Sequence, residues 1–181
     1  MSMKHNTLVA TTTALFLAGG SVQALDLEIG AHFADYDDLD NGFGLHGHLD
    51  VMPQVRLSGS YTAVEYADIL VGRAGYVLDL EGMGLEVELG AGYQFWDFEG
   101  ELEDDVYGIH GIASYYVMDE LAIRGKLEFL TFDNLDDDTL VFGVGAGYDI
   151  TPEFNVALDV EIYESDFIDQ TFIRLGASYR F

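Results

Sequence analysis

Three histidines pose the first chemical question. His46 and His48 share one face of an alternating stretch, and His32 falls at a similar height on the stretch before it. Three imidazoles brought close together could bind zinc or copper. Nothing in their spacing is specific to a metal, and the same residues serve as hydrogen-bonded filling of a polar interior, so we expect no metal and no other cofactor. Ser114 lies four residues beyond His110, and Ser58 and Ser60 share a face. Serine chemistry needs a serine held by a histidine that an acid orients. No motif joins these residues, and we expect no enzyme. Gly143, Gly145 and Gly147 spell G-x-G-x-G inside a strand-like run, which is no nucleotide loop. Together with Gly90 and Gly92 they ease strand bending, and they remove side-chain volume that could leave a narrow water path.

Acid dominates the charge. The chain has 33 Asp and Glu against 7 Lys and Arg, a net charge of −26, and no Cys. Nucleic acid is excluded as a partner, since phosphate contacts need clustered cations. Disulfides and thiolate chemistry are excluded as well. The acids gather in ADYDDLDN (34–41), EYAD (65–68), DFEGELEDD (97–105), DNLDDD (133–138) and ESDFID (164–169). An EF-hand loop wants D-x-[DN]-x-[DN]-G and a later Glu. Residues 35–42 miss that register and residues 133–138 lack the Gly. A solvated surface that binds divalent cations weakly is the expectation there.

Period-two alternation positions these residues. It divides the chain after residue 24 into ten runs, at 25–34, 42–51, 55–64, 69–78, 85–96, 105–117, 121–132, 139–148, 154–163 and 170–181. Each has ten to thirteen residues, near the roughly 9–11 that a tilted membrane-crossing strand requires. The acidic stretches form every other connection, and short turns at 52–54, 79–84, 118–120 and 149–153 form the rest. One face of every run is apolar: Leu27, Ile29, Ala31 and Phe33 in the first, Phe154, Val156, Leu158, Val160 and Ile162 in the ninth. No charge is expected on that face in any run, because a charge at a bilayer midplane costs about 2–4 kcal/mol. The opposite face carries all six cations beyond residue 24: Arg56, Arg73, Arg124, Lys126, Arg174 and Arg180. It also carries Asp26, Glu28, Asp50, Glu86, Glu88, Glu128, Asp159 and Glu161. Such charges must be paired or wet once enclosed, so we expect a salt-bridged polar lumen. Outward aromatics form two levels. Phe33, Phe43, Tyr61, Phe95, Tyr107, Phe129 and Phe142 lie toward the acidic connections, and Tyr76, Tyr115, Tyr148, Phe154, Tyr179 and Phe181 toward the short turns. A soluble sandwich could use the same alternation with its faces exchanged, but it would leave the one-sided acid unexplained.

Both ends of the chain agree. Lys4 and His5 precede an apolar stretch at 8–18, too short to span a bilayer as a helix, and Val22-Gln23-Ala24 offers a signal-peptidase site. Residues 1–24 are therefore expected to be a cleaved signal peptide, and 25–181 the barrel domain. The last residues, QTFIRLGASYRF, place Thr171, Ile173, Leu175, Ala177, Tyr179 and Phe181 on one face and stop on an aromatic. This ending is similar to the C-terminal strand of bacterial outer-membrane β-barrels. The chain resembles the small barrels of the OmpA/OmpX-like superfamily. That resemblance implies an all-β, transmembrane, antiparallel up-and-down barrel, for which the ten alternating runs predict ten strands, with eight as the alternative. It implies the Gram-negative outer membrane, termini on the periplasmic side, and Tyr179 and Phe181 as the assembly signal. The partners it implies are outer-membrane lipid and lipopolysaccharide, the barrel-assembly machinery and periplasmic chaperones, with divalent cations at the acidic loops. A structural or surface-interaction barrel is the expected function, and a narrow channel for water or small cations is the alternative.

Overall fold

The computed structural model describes residues 26–36, 40–80, 82–98, 102–164 and 169–181. Alternation has built ten strands: β1 (Asp26–Tyr36), β2 (Asp40–Met52), β3 (Val55–Val64), β4 (Ala67–Leu80), β5 (Leu85–Phe98), β6 (Leu102–Met118), β7 (Leu121–Phe132), β8 (Asp137–Asp149), β9 (Phe154–Glu164) and β10 (Asp169–Arg180). Each pairs antiparallel with its neighbours in sequence, and β1 pairs with β10 to close the barrel. The fold is thus a ten-stranded up-and-down barrel, and the eight-strand alternative falls away. Closure leaves no sheet edge to be satisfied by other means. Residues 1–24, where a signal segment is expected, and Leu25 lie outside the described residues.

The start of β1, the end of β10 and the turns at 53–54, 82–84, 119–120 and 150–153 lie at one end of the barrel, here the terminal end. Gly82 and Gly84 take the positive φ of 80° and 61° that the β4–β5 turn needs and that a side chain disfavours. The opposite, acidic end holds shorter loops than the sequence suggested, because much of the acid is drawn into strands. Asp68 pairs with Asp97, and Asp97 with Glu103, in the ladder. The rim carboxylates find local donors that make this extension tolerable. Tyr61 Oη donates to Asp68 at 2.9 Å, Thr131 Oγ1 to Asp138 at 2.8 Å, and Tyr93 Oη to Asp105. Asp104, fully buried, accepts from the backbone amides of Asn134 and Leu135 at 3.0 Å each and so ties down the β7–β8 turn.

The outward face is apolar, with exposed Ile29, Leu45, Leu89, Ile109, Val144, Leu158 and Leu175 around the girth and both levels of aromatics at its margins. Asp105 corrects the expectation of no charge there: it shares the outward phase of Tyr107, at the acidic margin where water reaches it. The interior is layered. Apolar and aromatic residues from Ala34 to Phe172 pack together near the acidic end, and the charges occupy the remainder.

β10 ends with the Phe181 amide donating to Leu27 O at 2.9 Å, its ring exposed and set edge-on to Tyr179 at 5.0 Å. Changing Phe181 to Asp should lower the amount of barrel recovered from outer-membrane fractions several-fold, read as loss of the heat-modifiable band. Wild-type levels of that band would show that the terminal ring has no part in assembly.

Candidate functional site in the lumen

The interior of a ten-stranded barrel is thin, so long inward side chains from different strands can meet within it. Glu128 on β7 is the centre of the arrangement, its side chain completely buried. Arg73 reaches it from β4 with a forked pair of bonds, Nε to Oε1 at 3.1 Å and Nη2 to Oε2 at 3.0 Å. Lys126 Nζ lies 2.7 Å from Glu128 Oε2 and 3.1 Å from Glu161 Oε1. Glu161 also meets Arg174 of β10. The result is one continuous chain of alternating charge, Arg73–Glu128–Lys126–Glu161–Arg174, across four strands.

Nearer the terminal end, Arg56 binds Asp50 with a fork at 2.7 and 3.0 Å and Glu86 at 2.9 Å, with Glu88 at 3.6 Å. His110 Nε2 donates to Glu88 at 3.0 Å. Arg124 pairs with Asp159 at 3.0 Å, and both side chains stay about one-third exposed, at 35% and 32%. Glu28 accepts from Ser178 Oγ at 2.6 Å and from Arg180 at 3.3 Å. Asp26 faces Asp50 across the ladder and joins no ion pair among the described residues.

Glycine makes these pairs possible. On β8, Gly143 sits in register between Lys126 and Glu161, and Gly145 between Arg124 and Asp159. A Cβ at Gly145 would strike the Asp159 carboxylate, and one at Gly143 would come within 3.0 Å of Lys126 Cβ. Arg73 likewise passes over Gly92, where an added Cβ would stand 2.8 Å from its Cγ. Gly92, Gly143 and Gly145 thus leave room beside the ion-pair side chains.

Of the three histidines, two come together. His32 Nδ1 and His46 Nδ1 are 3.2 Å apart, and His32 Nε2 is 2.9 Å from Thr62 Oγ1. His48 lines the same cavity without joining them, and among the described residues no group of three His, Cys, Asp or Glu is arranged to hold a metal ion. Ser114 also faces that cavity, with no hydrogen bond to His110 among those described.

The cavity has a volume of about 550 Å³ and opens at the terminal end, where Asp26, Asp119, Glu120 and Asp149 surround its mouth. Its inner limit is set by His32, His46, Arg73 and Arg174. Beyond them lies an aromatic layer that sequence reasoning missed: Tyr36, Trp96, Phe132, Tyr163 and Phe172, all at most 4% exposed. Trp96 stands 5.7 Å from Phe132 and 6.1 Å from Tyr163, and Phe172 lies 4.1 Å from Tyr36 and 4.2 Å from Tyr163. Gln94 joins the two layers, accepting from Trp96 Nε1 at 3.0 Å and donating to Glu128 at 3.5 Å. The signal was present in the phase of the alternation: the parity that turns Glu128 and Arg174 inward also turns Phe132 and Phe172 inward.

A family model described as "Outer membrane protein beta-barrel domain" matches residues 7–181. Among solved structures, the NanC porin aligns with a TM-score of 0.57 at 10% identity, over 84% of this chain and 100% of its own. The KdgM porin aligns at 0.54 and 14% identity, over 85% and 99%, and has also been solved in complex with disordered oligogalacturonate. An outer membrane channel from Pseudomonas putida F1 aligns at 0.53 and 11% identity, over 90% and 99%. At such identities the likeness is one of fold. No curated protein is a recognisable relative in sequence.

Removing Glu128 leaves Arg73 and Lys126 buried without their shared anion. Glu128→Ala should therefore destabilise the barrel by about 3–5 kcal/mol. Arg124→Ala, at a pair that water already reaches, should cost about 1 kcal/mol or less. Urea midpoints of the folded band in lipid vesicles measure both, and equal losses would refute the central place given to Glu128.

Proposed function

The chain belongs to the outer membrane protein beta-barrel domain family and resides in the Gram-negative outer membrane, and on that premise we propose that it acts there as a structural and surface-interaction barrel rather than as an open pore. One observation carries this reading: the aromatic layer of Tyr36, Trp96, Phe132, Tyr163 and Phe172 crosses the lumen between the cavity and the acidic end. Water crossing that layer would lose its hydrogen bonds, and the ion chain beneath it holds its charges in mutual pairs rather than offering them to a solute. Export by a signal peptide at 1–24, with handover by periplasmic chaperones to the barrel-assembly machinery, belongs to the same proposal.

The acidic end then faces outward. Its rim carboxylates, among them Asp35, Asp68, Asp97, Asp138 and Glu164, are the surface that would meet divalent cations and, through them, lipopolysaccharide phosphates.

A second reading, a narrow channel, is favoured by the cavity and by the fold shared with porins. The KdgM porin was solved in complex with disordered oligogalacturonate. Here the mouth carries Asp26, Asp119, Glu120 and Asp149, so a conducting form of this barrel would select small cations.

Planar-bilayer recording separates the two readings. The wild-type barrel should be silent, whereas Trp96→Ala combined with Phe132→Ala and Phe172→Ala should give discrete, cation-selective openings. Stable wild-type openings would overturn the structural reading in favour of the channel.

A further inference from the structure

The turns at the terminal end repeat a device that neither the lumen nor the acidic rim explains. β2 and β6 both finish on Val-Met, followed by a two-residue turn and an apolar residue: Val51-Met52, then Val55, and Val117-Met118, then Leu121. Both strands carry a register shift at that point, one between Asp50 and Met52 and the other between Tyr116 and Met118. Asp50 and Tyr116 face the cavity. Uninterrupted alternation would send Met52 and Met118 inward after them, since residues two apart share a face. The extra residue, Val51 or Val117, reverses the phase, as a bulge does. Met52 now pairs with Val55, which neighbours Tyr76, and Met118 pairs with Leu121, which neighbours Tyr148. Both methionines therefore continue outward rows that contain girdle tyrosines.

The other two turns also carry an exposed apolar residue at this end. Met83 stands at the tip of the glycine turn between Gly82 and Gly84, and Ile150 follows directly after β8. All four are well exposed: Met52 64%, Met83 66%, Met118 54% and Ile150 55%. The acids of the β6–β7 turn take the opposite direction, Asp119 and Glu120 lining the cavity mouth.

We propose that Met52, Met83, Met118 and Ile150 form a lipid-contact ring that seats the terminal end in the headgroup–acyl boundary of the adjoining leaflet. Continuity selects lipid over a protein partner, because Met52 and Met118 extend the lipid-facing rows past their tyrosines, and Met83 and Ile150 are exposed at the same end. Methionine suits such a surface, being flexible and polarizable where its neighbours are fluid. Sorting acid inward and methionine outward on one short turn fits an apolar exterior beside a wet mouth.

The chain has no cysteine, which permits a direct test. Met52→Cys, Met83→Cys, Met118→Cys and Ile150→Cys would be compared in lipid nanodiscs with Asp119→Cys and Glu153→Cys, on two of the same turns. A charged, membrane-impermeant maleimide reports aqueous access, and only protein running as the heat-modifiable folded band is scored. We expect labelling at the four apolar positions at least ten-fold slower than at the two acidic ones. If two or more of the four label at the acidic rate, the ring is in water and the proposal fails. A variant carrying Met52→Asp and Met118→Asp gives a second measurement. It should fold in detergent like the wild type yet insert into vesicles several-fold less, and equal insertion would count against the ring.

Discussion

The dominant constraint on this molecule is the narrowness of its interior. Ten strands enclose too little space for a charged group to stand upright in its own water, yet the lipid-facing surface forces every cation of the barrel inward. The solution is for each long side chain to end on an opposite charge. The Arg73–Glu128–Lys126–Glu161–Arg174 chain is that solution in its most enclosed form. A buried ion pair gains little net energy after desolvation, but a missing member leaves its partner stranded at high cost. These contacts therefore act less as glue than as a specification: the barrel closes in the register that joins them, and a slip of one residue would turn every one of them into the lipid.

Glycine placement follows from the same constraint. A cation on β7 and an anion on β9 are separated by the whole width of β8, and they meet because Gly143 and Gly145 leave that width empty. Arg73 of β4 likewise lies against Gly92 of β5, on its way to Glu128 of β7. The lumen is divided accordingly. Toward the termini, where the wall residues are small or paired, a wet cavity remains. Toward the acidic end the wall residues are bulky rings, and the space is filled with Trp96 and its neighbours.

The strands and their two faces were legible in the sequence because a single rule, alternation, decides both. That rule placed Arg56 and Glu161 inward and Phe43 and Leu175 outward without reference to any neighbour. Pairing was not legible, because it depends on register: His32 reaches His46, and His48 does not, only once Gly44 is known to lie opposite His32 and Gly30 opposite His46. Height was the other blind spot. Reading 97–105 and 133–138 as loops shortened β5, β6 and β8 and drew attention away from the inward rings at that end. Asp68 and Asp97 show why: carboxylates look like loop residues, yet on a wet barrel rim they extend a ladder whose backbone groups still need partners.

The last strand gathers these threads. β10 supplies Phe172 to the aromatic layer, Arg174 to the central ion chain, and Ser178 and Arg180 to Glu28 of β1. Of the six inward cations, the two on β10 serve anions of both of its neighbours, Glu161 on β9 and Glu28 on β1. Until β10 docks, therefore, Glu28 lacks its cation, Glu161 has Lys126 alone, and the aromatic layer lacks a side. Its arrival satisfies backbone, charge and packing in one step. Closure of this barrel is in that sense cooperative by composition: the same twelve-residue strand that removes the sheet's open edges also completes the interior they would have exposed.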